Sequence, residues 1–407
     1  MRDLRLSDLD ESTTGVLPNQ LLCEAIEEGH IDAGEYRIPA ENVQPASVDL
    51  RLGDFAWRIR CSFLPDTNTV DRKVKDLIVD EIDLRKEGAV LDTNRPYLIP
   101  LIESLSLPAH VRGKANPKSS TGRLDVFTRV VTDHSYRFDE IAAGYEGPLY
   151  LEVVPLSFAI RVRHGLALNQ LRLMVGRSSV SDAELWQHHQ ADPILYVGGR
   201  PATRTEFAVA DGLFLSLDLQ ARNHQPVGYR AKPNTLPLDM ARTGSHEISD
   251  YWDLVYSEER RRIVLDPEAF YLLLSGESVR VPPTVASEMT AYDPTSGELR
   301  THYAGFFDPG FGHDPDGRLN GSRAALEVRA HDVPFMVEHG QRVCKLTFER
   351  MIREPTKLYG QDIGSHYQGQ TRTLGKHFRP EPVAVSPDAA RAKDPAQAEL
   401  FSDLPDR

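Results

Sequence analysis

The amino-acid sequence predicts a mainly β chain with a few short helices, built from one domain present twice. Two observations carry this expectation. Short runs rich in Val, Leu, Ile, Tyr and Phe, such as Tyr97 to Ile102, Pro148 to Val154 and Phe270 to Leu274, are punctuated by Pro and Gly, as strands separated by turns would be. An ordered series of matches also recurs at a nearly fixed displacement. Leu91-Asp92, Tyr97-Leu98, Glu103-Ser104 and Pro108 return 174 residues later as Leu265-Asp266, Tyr271-Leu272, Glu277-Ser278 and Pro282. Leu151-Glu152 and His164-Gly165 return after 175 residues as Leu326-Glu327 and His339-Gly340. Chance similarity of composition would scatter the displacements, so their constancy points to duplication.

Along the chain, residues 1–15 are polar and acidic and read as a flexible N-terminus. The first domain is expected over 16–175. It opens with a helix from Asn19 to Glu28, where Leu21, Leu22, Ala25 and Ile26 mark one face and Gly29 offers a stop. A connector is expected over 176–205, with a weaker helical segment from Ser181 to His189. The second domain takes 206–379, and 380–407, rich in Pro, Ala and Asp, reads as a flexible C-terminus.

A length of 407 residues with 40% hydrophobic content supplies more than one core. Lys and Arg total 47 against 60 Asp and Glu, a formal charge of −13, which argues against a nucleic-acid polymer or an anionic membrane as partner. Any bound polyanion must meet a local cluster of cations. No run approaches the ~18 apolar residues of a membrane span, and the first residues lack the apolar stretch of a secretory signal, so a cytoplasmic location is expected. Cys23, Cys61 and Cys344 are odd in number and far apart, which argues against a disulfide framework.

The most informative stretch chemically is Lys118-Ser-Ser-Thr-Gly-Arg-Leu124. Its backbone amides, hydroxyls and two cations could converge on phosphate oxygens, although an ordinary solvated turn has the same composition. Glu152 interrupts the apolar run Leu149 to Pro155. On a pocket wall it would be a desolvated general base; on an edge strand it would simply point at water. A zinc nucleobase deaminase needs a His-x-Glu with a later Pro-Cys-x-x-Cys, and no two cysteines lie closer than Cys23 and Cys61, so no zinc is expected.

Together these pieces resemble the trimeric deoxynucleotide triphosphatase and deaminase family, and within it the dCTP deaminases. The resemblance rests on Gln44-Pro-Ala-Ser-Val-Asp-Leu-Arg-Leu-Gly53, Ser119-Ser120 with Arg123, Val131-Thr-Asp-His134, Arg137-Phe-Asp139, Gly144-Tyr-Glu-Gly147, Leu151-Glu152 and Asn169-Gln170-Leu171. In the second half it continues through Ala304-Gly-Phe-Phe-Asp-Pro-Gly310, Leu326-Glu327, Tyr359-Gly360 and Ser365-His-Tyr-Gln-Gly-Gln370. It implies two tandem distorted jelly-roll β-barrels of the dUTPase-like type, a trimer-based homo-oligomer with sites at subunit interfaces, and dCTP held with Mg²⁺. Ser119 and Arg123 would bind phosphate and take part in catalysis beside Lys118 and Ser120. Asp139 would contact the sugar, Thr132 and Asp133 would line the pocket, and Glu152 would activate water for attack on C4 of cytosine. In the second half Asp308 and Glu327 persist, and Tyr359, His366 and Gln370 would close over the nucleotide.

This chain departs from the family pattern in the hairpin around Ser135 to Ala143, which is longer than usual, and in two respects that bear on the phosphate site. Lys118 replaces the arginine expected before the paired serines, keeping the charge but losing the bidentate fork. In the second half, Asp293 and Glu298 stand where Lys118 and Arg123 stand in the first, and two carboxylates would repel a triphosphate. Two arrangements follow. The N-terminal half, with its complete set, supplies the whole site; or Ser119 and Arg123 face Asp308 and Glu327 in a composite site. Completeness favours the first. Either requires Arg123 to lie out of bulk solvent beside one of the two glutamates. The competing activities are a dUTP diphosphatase or a bifunctional deaminase and diphosphatase, although the glycine-rich diphosphatase tail is missing. A catalytically silent nucleotide-binding scaffold is the remaining alternative.

Overall fold

Alternating apolar positions in the first half give a strand, Tyr97–Ser106, in which Ile99, Leu101, Glu103 and Leu105 point inward and the residues between them are more exposed. In the computed structural model the described residues are 5–10, 12–221, 225–291, 299–301, 305–313, 320–330, 332–360 and 373–380. The strand Tyr97–Ser106 pairs antiparallel with Glu146–Pro155, which pairs in turn with Val126–Thr132. Phe55–Ile59, Ile78–Asp83 and Ile31–Asp32 complete this sheet. A second sheet centres on Ala167–Val175, flanked by Val111–Pro117 and Val48–Arg51. Side chains from both sheets, among them Leu50, Ile99, Leu149 and Leu171, share one core.

The second half repeats the pattern. Phe270–Val279 pairs with Ser322–Ala330 and Gly228–Ala231, and Arg342–Arg350 pairs with Val285–Ala291 and Leu213–Ser216. The repeat extends to register. Leu98 lies opposite Glu152, and Leu272 lies opposite Glu327. The hydroxyls of Tyr97 and Tyr271 accept from the amides of Asp92 and Asp266, both at 3.0 Å. The carboxylates of Glu103 and Glu277 accept from the amides of Arg51 (2.7 Å) and Ser216 (2.9 Å). The matches at constant displacement therefore mark equivalent positions of one architecture, mainly β with few short helices.

The expected first helix spans Asn19–Glu27 and buries Leu21, Leu22 and Ala25. Between the halves, Ser181 caps a helix over Asp182–Ala191, its hydroxyl and the Glu184 carboxylate satisfying each other's backbone amides in a capping box. Leu195–Val197 then joins the second half by pairing with Phe270–Val279.

The halves interlock. Leu238–Asp239 extends the first half by pairing in parallel with Ile160–Val162, and Trp252, Phe270 and Phe378 of the second half belong to the first half's core. Charged groups also cross between them. Arg172, fully buried, donates to Asp308 (3.3 Å) and Glu349 (3.1 Å), and Asn116 (2.7 Å) and Lys114 donate to Glu288. Such pairs must be matched on both sides, because a buried ion without its partner is strongly destabilising. Among the described residues no helix is long and apolar enough to cross a membrane.

Candidate active site

The phosphate-like segment is a tight turn between two strands of the first half. Val111–Pro117 ends at a proline, and one short helical turn follows over Ser119–Gly122. The amides of Thr121 (2.7 Å) and Gly122 (3.1 Å) return to the Lys118 carbonyl, and the Thr121 hydroxyl donates to the Leu168 carbonyl at 2.8 Å. Asp125, at φ +57°, then redirects the chain into Val126–Thr132. Ser120, Thr121, Gly122 and Arg123 are buried, while Lys118 and Ser119 are half-buried. Arg123 is thus withdrawn from bulk solvent, 3% exposed.

The carboxylate facing this turn comes from the other half of the chain. A Cβ placed on Gly122 would lie 2.5 Å from Glu327 Oε2 and 2.8 Å from its Oε1. Glu327 sits on Ser322–Ala330 and is buried; among the described residues its Oε2 has no hydrogen-bond partner. Burial pushes its carboxyl well above the usual carboxylate range, with Arg123 pulling it down and Asp125 adding to the rise. Asp125 is itself paired with Arg329, two residues beyond Glu327 on the same strand. The phosphate segment and the Glu327 strand are therefore fastened at two successive points.

Asp308 approaches from the same half as Glu327. It is buried against Arg172, and burial raises its carboxyl while Arg172 and Lys118 oppose the rise and Asp49 adds to it. Lys118 is ion-paired with Asp49. A Cβ on Gly305 would lie 3.9 Å from Ser119 Oγ, which brings the approach to the Asp308 turn beside the paired serines. Tyr359 closes that turn: its amide donates to the Pro309 carbonyl at 2.9 Å, and its ring lies 5.6 Å from Phe311. The structure thus gathers Lys118, Ser119, Arg123, Asp308, Glu327 and Tyr359.

The equivalent residues of the first half are engaged elsewhere. Glu152 is buried and ion-paired with Arg129, its cross-strand neighbour, whose guanidinium sits 3.6 Å from the Phe138 ring centroid. Asp133 accepts from the Val70 amide (2.7 Å) at the start of a helix over Val70–Val74, and Thr132 pairs with Leu149 within its sheet. Asp139 accepts from the Val130 amide at 2.7 Å, and burial pushes its carboxyl up to about 7, with Arg129 and Lys114 opposing and Glu288 adding to the rise. The complete N-terminal set favoured by the sequence is not the pairing the chain assembles. Glu327, from the other half, meets the phosphate segment, and the Glu152 carboxylate is taken up by Arg129. His366, Gln370 and the acidic stretch 293–298 lie outside the described residues. Among the described residues no group of three or more His, Cys, Asp or Glu side chains is placed to hold a metal ion.

Sequence reasoning missed Asp49, although it lies inside a motif read as significant, and it missed Gly122 as the point of contact. It also missed Arg129 and Arg172, strand residues whose partners become visible only once the strands are paired.

A turn rich in hydroxyls and cations packed against a desolvated carboxylate has the chemistry to take an anion and to carry a proton. The sequence falls accordingly. Residues 13–177 match the 2'-deoxycytidine 5'-triphosphate deaminase N-terminal domain, and residues 181–378 match the C-terminal domain of the same enzyme. The chain belongs to the dCTP deaminase family. It is 44% identical to a 2'-deoxycytidine 5'-triphosphate deaminase from Agrobacterium tumefaciens whose crystal structure superposes with a TM-score of 0.78, covering 84% of this chain and 99% of that one. A dCTP deaminase of Natronomonas pharaonis is 31% identical over 132 residues, which is 32% of this chain and 63% of that relative's length. A "dCTP deaminase, dUMP-forming" of Corynebacterium glutamicum is 32% identical over 150 residues, 35% of this chain and 74% of that relative.

Proposed function

We propose that the chain converts dCTP and water to dUTP and ammonia at a composite site made from both halves. The observation that carries this reading is the contact between Gly122, in the phosphate segment of the first half, and the Glu327 carboxylate of the second. Lys118, Ser119, Ser120 and Arg123 hold the triphosphate, which arrives with its Mg²⁺ as part of the substrate. Asp308 receives the sugar hydroxyl, oriented by Arg172. Tyr359, and the His366 and Gln370 of the tail, cover the nucleotide.

Glu327 takes one proton from water as the oxygen adds to C4 of cytosine. It hands that proton to the amino nitrogen, the C4–N bond breaks and ammonia leaves. The hydroxyl remaining on C4 gives up its own proton and N3 gains one as the carbonyl forms, which leaves the N3–H ring of uracil. A buried carboxyl with raised proton affinity suits this carrier role near neutral pH. Ser119 and nearby amides polarise the ring and hold the tetrahedral intermediate in a water-poor cleft. Thr132, Asp133, Asp139 and Glu152 belong to the retired counterpart site of the first half. The two halves are tandem jelly-roll barrels in a trimer-based assembly, a reading that rests on the family resemblance and the repeated register.

A second reading, deamination followed by release of pyrophosphate, is favoured by the dUMP-forming Corynebacterium relative. Product analysis separates the two: dUTP with ammonia alone supports the first, whereas dUMP with pyrophosphate supports the second. The site assignment is tested by ammonia release from dCTP in E327Q and E152Q. E327Q is expected to lose about 10²–10⁴-fold in kcat, and E152Q to stay within about ten-fold of wild type. The opposite pattern moves the base to the first half, and binding of dCTP without ammonia release by wild type rejects deamination.

A further inference from the structure

The contact between the phosphate turn and the Glu327 strand has a second rung, made of opposite charges. Asp125 ends the turn, its amide donating to the Gly122 carbonyl at 2.9 Å, so positions 122 and 125 lie side by side. Residues 327 and 329 share one face of Ser322–Ala330, roughly 7 Å apart along the strand. Gly122 meets Glu327, and Asp125 is ion-paired with Arg329. Each partner of the pair is held from behind. The Ser157 hydroxyl donates to the Asp125 carboxylate (2.5 Å) and the Leu156 amide to the Asp125 carbonyl (3.0 Å), while the Arg329 guanidinium also donates to the Glu268 carbonyl. Asp125 and Arg329 are both buried.

The repeat shows where this pair belongs. At a displacement of 175 residues, Arg329 answers to Val154, two residues beyond Glu152, and Asp125 answers to Arg300. The signs of Lys118, Arg123 and Asp125 are inverted at Asp293, Glu298 and Arg300. The charged rung therefore stands beside the glutamate that meets the phosphate turn, whereas Val154 offers no cation beside Glu152.

We propose that Asp125 and Arg329 are positioning residues for the reaction, an ion pair that sets how closely the Glu327 carboxylate approaches the nucleotide held by the phosphate turn. The assignment deepens the dCTP reading and rests on it. A base misplaced by about 1 Å loses roughly 10²-fold in rate, and a buried ion pair tolerates little sliding because either charge left alone is strongly destabilising. The pair also bears on the proton. Burial is the main reason the Glu327 carboxyl sits high; Arg123 opposes the rise and Asp125 adds to it. Further ionisable groups near the turn are Lys118, paired with Asp49, and Lys376 and His377 on the segment whose Thr373 carbonyl accepts from Arg123.

The test uses the full chain and steady-state ammonia release from dCTP across pH. D125N/R329Q removes both charges together, so neither is stranded, and D125E keeps the charge but lengthens the arm by one methylene. D125N/R329Q should lower kcat by about ten- to 10²-fold, with KM for dCTP within about three-fold of wild type. The acid limb of its kcat profile should also move to lower pH, because Glu327 must be unprotonated to take a proton from water and the carboxylate that raised its proton affinity is gone. D125E should lower kcat by about ten-fold and leave the acid limb in place. A pair that served only the fold would lower the melting temperature and leave kcat per folded molecule and its acid limb unchanged, and that result in D125N/R329Q overturns the proposal. Should D125N/R329Q fail to fold, D125E decides: kcat within about two-fold of wild type rejects the positioning role. A wild type that releases no ammonia defeats the dCTP reading and the proposal with it, whereas an active wild type with unaltered variants defeats the proposal alone.

Discussion

Replacing Gly122 by alanine probes the composite site with a single methyl group. The new Cβ would stand 2.5, 2.8 and 2.9 Å from Oε2, Oε1 and Cδ of Glu327, where ordinary contact begins at 3.4 Å, so the nearest oxygen must retreat by about 0.9 Å. The carboxylate terminates a flexible side chain, but it is buried between Arg123 and the strand carrying Arg329, and it has little room to withdraw. A displacement near 1 Å in a catalytic group lowers turnover by roughly 10²-fold. Overpacking of this size destabilises by about 1–3 kcal/mol, partly offset by up to ~1 kcal/mol from replacing glycine in a helical turn. The expected outcome is therefore a folded protein with a modestly shifted melting temperature and kcat for ammonia release down about 10²-fold. A G122A protein that melts like wild type and turns over dCTP at the wild-type rate would refute the claim that Gly122 and the reacting carboxylate share one site.

Three further outcomes follow from the same geometry. E152Q leaves the Arg129 guanidinium facing a neutral amide, and because Arg129 is partly exposed the loss should be about 1–3 kcal/mol in urea unfolding, with little effect on turnover. R172M removes a fully buried cation from both Asp308 and Glu349 and should destabilise by about 3–5 kcal/mol; the milder R172K, read by KM for dCTP against its 3'-deoxy analogue, should show reduced discrimination at the sugar. Asp139 titrates near 3.8 when unfolded and about 7 when folded, so between those values the folded chain holds a proton that the unfolded chain has released, and stability falls as pH rises from 4 to 7. D139N should flatten that slope in pH-dependent melts, by on the order of 2 kcal/mol once its half-buried position is discounted, and an unaltered slope would assign the effect to another group.

The parts of the fold legible in the sequence are those fixed by local pattern. Tyr97–Ser106 could be read because its inward residues alternate, and the repeat because strand positions such as Leu98 and Leu272 kept their spacing to Glu152 and Glu327 to within one residue. The choice between those two glutamates could not be read. Each occupies the same place on the same kind of strand, opposite a leucine and within Leu-Glu-Val, and the neighbours that differ, Val154 against Arg329, do not by themselves say which carboxylate faces the turn. What separates them is Arg129, which meets Glu152 only through the register of Val126–Thr132 against Glu146–Pro155, and Gly122, which meets Glu327 across more than 200 residues of chain. Arg172 is a similar case. On a strand that reads as apolar, a guanidinium would be expected to turn outward, yet its partners Asp308 and Glu349 lie 136 and 177 residues away and make burial tolerable.

The two halves have diverged on opposite sides of the chemistry. The first keeps Lys118 and Arg123 while its Glu152 is neutralised by Arg129; the second keeps Glu327 with an oxygen free of hydrogen bonds among the described residues, while Asp293 and Glu298 replace the cations. Either loss alone would disable a site confined to one half. Together they are tolerable only if the surviving turn and the surviving carboxylate meet, and the Gly122–Glu327 contact is where they do. Since both partners belong to one chain and are fastened by Asp125–Arg329 and Arg172–Asp308, that contact forms intramolecularly. On the proposed site, dissociation of any oligomer should leave the phosphate turn and its base together. In a protein with a base on one chain and a phosphate turn on another, dissociation would abolish the site, so selection for the association interface would have guarded both copies. In the proposed composite site, Glu152 and the acidic residues Asp293 and Glu298 have no catalytic part to keep.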